Sequence, residues 1–502
     1  MWTTLALAAL IAPWVAAGAG LVGRHRQAEV ARAAAAVTGL GFAAAAGLGI
    51  ATVVSGADAV SVGAGAFMLT LDGLAIVMTL LVLGLSGVIQ SFATRYLRGD
   101  SRQGWFVITA NLLTASTVLM VGAGTVVLFT VAWVAAGISL VLLLNTYPHD
   151  RQAKEGVRRT VWRFVVGDLS LLAAAAMLIL AGGMDLRLAE VGTVLAGMPD
   201  LLAAAVGVLL VAAALARSSQ IPFHGWLPAT LAAPTPVSAL MHAGVVNAGA
   251  ILLIRFSSAI ADSTLTMAVV FVAGATTLVY ASAVRLIKPD VKGRLVFSTM
   301  AQMGFMIMAC GLGAFAAAVF HLVAHGLYKS ALFLSAGTGV RQQAARRVWP
   351  DRPHRGVASA VAAVGLAVIV PLGAVASARA LFAPDVSAAS AALLAFVVLA
   401  GAVTLGSTLL VRLSIATVAV SFLAIISLTL VYTVFVVAFE DLLGSVAAVG
   451  AVSPWWVLAP AALLIITQWL ASDRIGASAV RDVLYARGLS AATPALHPVK
   501  GI

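Results

Sequence analysis

Cysteine is almost absent. The one thiol, Cys310, excludes a disulfide within the chain, a cysteine-ligated cluster and a cysteine-based zinc site. Charge is scarce as well. Asp, Glu, Lys and Arg make up 10% of the residues, against about 25% in soluble domains, and this shortage excludes a soluble enzyme. No glycine fingerprint follows a strand pattern, so no dinucleotide site is expected. No basic groove interleaved with aromatics is present, so the net charge of +12 does not point to nucleic acid. No segment is long and polar enough for a soluble domain. The longest non-spanning stretches are 183–200 and the tail beyond 473.

What is there is apolar. Hydrophobic residues reach 62%, and long apolar runs recur from end to end. A membrane span needs roughly 20 such residues. On that ruler about fifteen spans begin near Trp2, Ala31, Leu71, Trp105, Thr125, Val161, Leu201, Val237, Leu265, Arg294, Ala314, Val357, Ser387, Leu413 and Trp455. The expected fold is all-α: a polytopic membrane bundle of about 14–15 transmembrane helices forming one integral membrane domain over 1–502. Trp2–Val22 is long for a signal-peptide core, and no small-residue cleavage site clearly follows it, so a retained helix is expected. The alanine-rich runs near Ala33 and Ala388 are low in complexity but apolar, and small residues allow close helix packing.

The charges divide by loop. Arg24 and Arg26 follow the first span, Arg95, Arg98 and Arg102 the third. Arg151, Lys154, Arg158 and Arg159 follow the fifth, and Arg285, Lys288 and Lys292 the ninth. Arg341, Arg346, Arg347, Arg352 and Arg355 follow the eleventh, and Arg474, Arg481 and Arg487 lie in the tail. On the count above all of these share one side. The other side holds Asp185, Glu190, Asp200, Asp262, Glu440 and Asp441, with Arg187 and Arg379 as its exceptions. Positively charged loops stay in the cytoplasm. The expectation is an outside N-terminus, a cytoplasmic C-terminus and residence in the cell (inner) membrane.

Two stretches carry candidate chemistry. From Ala216 to Phe256, an apolar helix meets Arg217, then Ser218, Ser219 and Gln220, then prolines at 222, 228, 234 and 236. Proline removes a backbone donor and breaks helices. Broken backbone at membrane depth is tolerated where protein buries it or water reaches it, as at transport sites. Pro222, His224, Pro234 and Pro236 are the expected broken-helix elements here. Pro371 is their counterpart further on. The alternative is a proline-rich surface loop, with Arg217 snorkelling to the interface.

In the second stretch, Val319–Gly337, His321, His325 and Lys329 recur every four residues and share one helix face. Ionisable groups inside a membrane are costly and usually line a bundle interior or a water path. Imidazole titrates near neutral pH, and a buried lysine can give up its proton. Such a row can pass protons. It could also be a pair of histidines hydrogen-bonded in a core, or a metal site, though no carboxylate or cysteine is near in sequence. Asp168, inside the sixth span, needs a partner or must stay protonated, and Arg217 on the next span is the natural candidate. His242 lies early in the eighth span. Asp72 opens the third span, where a capping or interface role is expected. The expected proton path is therefore Asp168, Arg217, His242, His321, His325 and Lys329, with no catalytic residue and no metal.

These residues resemble a known family. Arg217–Arg255 resembles the signature of the antiporter-like subunits of complex I and of the Mrp sodium/proton antiporters: K-S-A-Q-x-P, then W-L-P, then A-P-T-P-V-S-A-L-x-H-A. DVKGRLVFSTMAQMGFM at Asp290–Met306 is similar to D-I-K-x-x-L-A-Y-S-T-x-S-Q-x-G. The His321/His325/Lys329 helix is similar to H-x-x-x-H-x-x-x-K-A-x-L-F-L. LDGLA at Leu71 and RYLRGD at Arg95 extend the likeness, which covers roughly residues 70–340, followed by additional helices over 357–471 and a cytoplasmic tail over 473–502. The chain departs from the pattern in three places. The family's glutamate after a tryptophan in the fifth span is absent, since Trp133 is followed by Val134. The seventh-span lysine is Arg217, which holds its proton permanently. The nearest charge to the family's second-half lysine is Arg379.

The wording PFHGWLPATLAAPTPVSALMHAGVVNAGAILLIR looks like the membrane subunit of DAB inorganic carbon transporters, DabB. The resemblance implies inverted repeats; the missing cysteine cluster and dinucleotide fingerprint lead us to expect no cofactor in this chain and no enzymatic turnover of its own. The resemblance also implies a large cytoplasmic zinc-containing partner of the DabA type, similar to β-carbonic anhydrases. The function it implies is an energy-coupling proton conductor for carbon dioxide and bicarbonate uptake. A redox-enzyme pump subunit, a sodium/proton antiporter subunit and a non-transporting scaffold are the other readings.

Overall fold

A computed structural model describes residues 2–22 and 26–337, pieces of 365–399, then 415–443, 450–470 and 486. Two long helices open the chain, α1 (Trp2–Val22) and α2 (Gln27–Ser55). A short antiparallel hairpin follows, β1 (Ala59–Val62) and β2 (Leu69–Asp72), with Val60 opposite Leu71. Then come α3 (Gly73–Tyr96), α4 (Gln103–Val121), α5 (Val126–Leu144) and α6 (Arg151–Gly182). A short α7 (Val191–Ala196) precedes α8 (Asp200–Arg217). The next span is divided into α9 (Thr235–Ala243) and α10 (Ala248–Arg255), followed by the single turn α11 (Ser257–Ile260). The long helices α12 (Thr264–Ile287), α13 (Val291–Gly311) and α14 (Phe315–Leu334) complete the continuous region. Beyond it lie α15 (Ile415–Leu443) and α16 (Leu458–Leu470).

Among the described residues, eleven helices are long and apolar enough to cross a membrane. The chain is a multi-pass membrane protein with the expected helical-bundle fold, to which the β1–β2 hairpin adds one small sheet. The further spans expected from the sequence divide into three cases. Lys292, Arg294 and several polar residues make α13 less apolar than the others. The Trp455 span is a shorter helix, α16. The spans beginning at Val357 and Ser387 are described only in helical pieces, and their starts, Arg379 and the loop 341–355 lie outside the described residues.

Capping residues fix where the helices start. Asp72 accepts from the Ala75 amide, Thr125 from Leu128, Ser263 from Thr266 and Asp290 from Gly293, each satisfying an amide with no partner inside its helix. Asp150 caps α6 through the Gln152 and Ala153 amides. The sixth helix therefore begins ten residues before Val161. Its first turns are held by Glu155, which pairs with Arg158 and Arg159, at the spacing that stabilises helices. Those turns are too charged for a hydropathy ruler to count.

One large apolar core joins α3–α6, α8–α10 and α12–α14, and smaller clusters attach α1 and α2 to α3 and α4. The tightest pair is α12 with α13. A Cβ on Gly274 would lie 2.4 Å from the Met308 amide nitrogen, and one on Gly304 2.6 Å from that of Leu278. Without side chains at these two positions the backbones touch. Large apolar residues such as Val53, Leu180 and Leu201 point outward, as a lipid-facing surface requires.

Contacts between loops test the alternation of sides. Ala123 and Arg187 bridge to Leu69 and Thr125, so the loops after α2, α4 and α6 share a side. Arg102 donates to Thr146 O at 2.8 Å, and the Tyr147 hydroxyl donates to Asp100, so the loops after α3 and α5 share the other. Burial and the Asp100 carboxylate push the Tyr147 phenol up to about 12, which keeps it protonated and donating.

Candidate functional site

The site is built where α8 stops. Arg217 is the last residue of α8, and Ser218, Ser219 and Gln220 follow it, all fully buried. Ser219 takes a φ of 54°, unusual for a residue with a Cβ. Its hydroxyl donates to His224 O at 2.9 Å. The Pro222 peptide is cis. Trp226 returns the indole N–H to Ala216 O at 3.0 Å, and the Ile221 amide donates to Thr277 Oγ1 at 3.0 Å. Freed backbone groups are thus matched by side chains, as burial demands.

His224 opens a 3-10 helix, His224–Thr230, edge-on to Tyr280. Burial, and then the charge of Arg163, hold its imidazole below the ordinary range, so it is neutral at neutral pH. Pro234 and Pro236 start α9 rather than break it; Pro234 is its N-cap. The eighth span breaks later, at Gly244–Asn247, between α9 and α10. The prolines therefore define a buried connection, and the break falls in AGVVNAG, where glycine, valine and asparagine all have low helix propensity. Ser218 Oγ donates to Val246 O at 2.7 Å, occupying a carbonyl that the break exposes. Pro371 is buried in the helical residues 369–373.

Arg217 reaches from α8 across to α6. Its Nη2 donates to Asp168 Oδ1 at 2.6 Å, and the same oxygen accepts the Trp133 indole N–H at 2.8 Å. Nη1 donates to Trp133 O at 3.3 Å. The guanidinium lies 4.4 Å from the Trp133 ring and 4.2 Å from that of Phe164, a double cation–π arrangement. A Cβ on Gly137 would sit 2.9 Å from both terminal guanidinium nitrogens of Arg217, so glycine leaves the room that Arg217 fills.

On the other side of α9 lies the α14 row. His242, in the last turn of α9, stacks on Phe333 of α14 at 4.3 Å. His321 and His325 stack on each other at 6.0 Å, and His321 also meets Phe305 at 5.0 Å. Lys329 is fully buried and donates to Ser298 Oγ of α13 at 2.8 Å. No carboxylate pairs with it among the described residues. Neither nitrogen of His242 has a hydrogen-bond partner on the described protein, and the His325 imidazole lies against the His242 backbone. Buried polar groups of this kind are normally met by water.

The structure thus forms two groups. Asp168 and Arg217 are joined, and His242, His321, His325 and Lys329 gather where α9 meets α14. Asp72 is the expected cap, and it also receives a bidentate pair of hydrogen bonds from Arg255 at the end of α10. Sequence reasoning did not single out Ser298, Phe164 or Gly137, and it marked Trp133 only for the residue that follows it. Ser298 lies inside the FSTMAQ motif, which was its available signal.

The model for the NADH:quinone oxidoreductase/Mrp antiporter transmembrane family matches residues 123–376. The chain belongs to this family. The model for the N-terminus of complex I chain 5 matches residues 64–107. A protein of Halothiobacillus neapolitanus (strain ATCC 23641 / c2) named "probable inorganic carbon transporter subunit DabB1" is 37% identical over 293 residues, which are 57% of this chain and 52% of that one. A Bacillus subtilis (strain 168) protein named as a DabB subunit is 35% identical over 271 residues, 54% of each chain. The matched region spans about half the length of these relatives. The structure of the Mrp complex from Dietzia sp. DQ12-45-1b contains a chain 26% identical with a TM-score of 0.66, covering 97% of this chain and 59% of that one.

Proposed function

We propose that the chain is the proton-conducting, energy-coupling membrane subunit of an inorganic carbon uptake complex. Its partner would be a large cytoplasmic zinc-containing subunit of the DabA type that interconverts carbon dioxide and bicarbonate. The names of the relatives support the carbon part of this reading. The proton part rests on one observation: Lys329 is fully buried, bound to a hydroxyl and not to a carboxylate, in line with two stacked histidines. A salt-bridged lysine would hold its proton. A lysine on a hydroxyl can release it and take it back, and the neighbouring imidazoles can carry it. Arg217 cannot exchange its proton, so with Asp168 it acts as a fixed dipole beside the path, not as a carrier.

In this reading the N-terminus is outside, the basic loops and the C-terminus are cytoplasmic, and the chain needs no cofactor of its own. The likeness to an Mrp complex chain favours a sodium/proton antiporter subunit as the second reading. Co-purification of a tagged chain separates the two. A zinc-containing soluble partner supports carbon uptake, whereas a set of antiporter subunits supports the alternative. Growth of uptake-deficient cells at ambient carbon dioxide should require both proteins. Rescue by this chain alone would contradict a two-component mechanism.

A further inference from the structure

The prolines ahead of α9 leave two carbonyls that their own turns cannot close. A tight turn closes when the amide three residues on donates back to a carbonyl. Three residues after Leu231 stands Pro234, and three after Ala233 stands Pro236. Proline has no N–H, so neither turn can form that bond. Ala233 and Pro234 are buried and Leu231 is half-buried. Carbonyls placed there need another donor.

Lys292 is that donor. It stands second in α13, and its Nζ donates to Ala233 O at 2.6 Å and to Leu231 O at 3.2 Å. Ser238 Oγ adds only a long contact to Ala233 O, at 3.5 Å. Leu231 directly follows the 3-10 helix His224–Thr230, so the ammonium also meets the C-terminal end of that helix, where basic side chains favour the last carbonyls. Among the described residues Lys292 makes no ion pair, and the nearby Asp290 faces Lys288 instead.

Both elements that Lys292 joins lead to the α14 row. From the held turn, α9 runs to His242, which stacks on Phe333 of α14 at 4.3 Å. From Lys292, α13 runs to Ser298, which accepts from Lys329 of α14 at 2.8 Å. α13 is pressed backbone to backbone on α12 at Gly274 and Gly304, which makes it a firm reference for both. α9 has nine residues and is separated from α10 by the Gly244–Asn247 break. A helix that short is not held by its own ladder, so its seat depends on how its start is fixed.

We propose that Lys292 is a positioning residue: its ammonium replaces the two amides that Pro234 and Pro236 lack, and so seats α9 on α13 with His242 against α14. Its effect on flux rests on the reading of the chain as a proton conductor; the seat itself does not. Lys292 keeps its proton and holds carbonyls. A guanidinium can donate to the same two oxygens, so arginine serves at 292 although it cannot replace a lysine that must titrate.

Amide hydrogen exchange of the full chain in its intact complex tests this. Lys292→Met keeps the stem and removes the donors. Exchange over 231–243 should then speed up by about tenfold or more, with α12 unchanged, while Lys292→Arg stays within about threefold of wild type. Adding Pro236→Ala to Lys292→Met returns an amide that can close on Ala233 O, and should recover part of the protection. In reconstituted vesicles proton flux should fall about tenfold with Lys292→Met and return with Lys292→Arg. Wild-type exchange over 231–243 in Lys292→Met overturns the proposal, as does exchange that rises equally in α12, which marks a general loss of fold. Equal loss of flux with methionine and arginine would make Lys292 a carrier and also overturns it. Exchange is read without any transport assay. If wild-type vesicles pass no protons, the conductor reading fails and exchange alone decides the seat.

Discussion

Arg217 of α8 and Asp168 of α6 share a 2.6 Å charge-assisted hydrogen bond inside a cage made by the Trp133 and Phe164 rings. The carboxylate that answers this cation comes from α6, and the position after Trp133 is valine. Trp133 instead contributes its indole N–H to the same oxygen. The pair is buried at Arg217 and partly open at Asp168. An unpaired charge there would stand in a low dielectric.

Breaking that pair from one side should therefore cost about 3–5 kcal/mol of stability. Arg217→Ala should damage the protein more than Asp168→Asn combined with Arg217→Gln, which removes both charges. Thermal unfolding of the purified variants in detergent, arranged as a double-mutant cycle, measures the coupling. Additive losses would argue against a direct interaction.

Gly137→Ala probes the same cage sterically. The new methyl would meet both terminal guanidinium nitrogens, and Arg217 has aromatic rings on its other faces. A loss of about 1–3 kcal/mol is expected, and it should shrink when Arg217 is also shortened to Gln. A full loss in the Arg217→Gln background would place the clash elsewhere.

The Asp72–Arg255 tie predicts an acid dependence. Burial alone would raise the Asp72 carboxyl, but the hydrogen bonds and charge of Arg255 override it and hold the pKa below the usual carboxylate range. A depressed folded pKa contributes stability that is fully present above the unfolded value of about 3.9 and is lost as pH falls through the folded one. Wild-type stability should thus drop between about pH 4 and lower pH more steeply than that of Asp72→Asn. Parallel stability–pH curves for the two proteins would remove this group from the acid response.

Much of this was legible beforehand because lipid imposes a simple rule. Apolar length fixed most helix starts to within a few residues, and ionisable residues inside spans marked the site. The i, i+4 spacing placed His321, His325 and Lys329 on one face, and the Asp168–Arg217 partnership followed from the cost of a lone buried charge. Three things were not legible. The break in the eighth span at AGVVNAG was not singled out, because the prolines at 222–236 ahead of that span are the louder signal. The first ten residues of α6 were placed in a loop, because hydropathy cannot register a helix held by Glu155 and its arginines. Ser298 went unnoticed, because a single hydroxyl in an apolar helix acquires meaning only when a neighbouring helix brings a partner to it.

Topology gives an independent check. Cysteines at Ala153, in the basic first turns of α6, and at Ala345, in the basic segment beyond the described residues, should resist an impermeant thiol reagent applied outside intact cells. A cysteine at Gly183, after α6, should react. Outside labelling of Ala153→Cys would overturn this orientation.

The most direct test of the proton relay is Lys329→Arg. Arginine keeps the charge and most of the reach to Ser298, but it does not release its proton. Flux in vesicles reconstituted with the intact complex should fall by at least about tenfold, roughly 1.4 kcal/mol or more in barrier, while assembly and thermal stability stay close to wild type. Wild-type proton flux with Lys329→Arg would contradict the account, since a fixed cation would then serve as well as a titrating one.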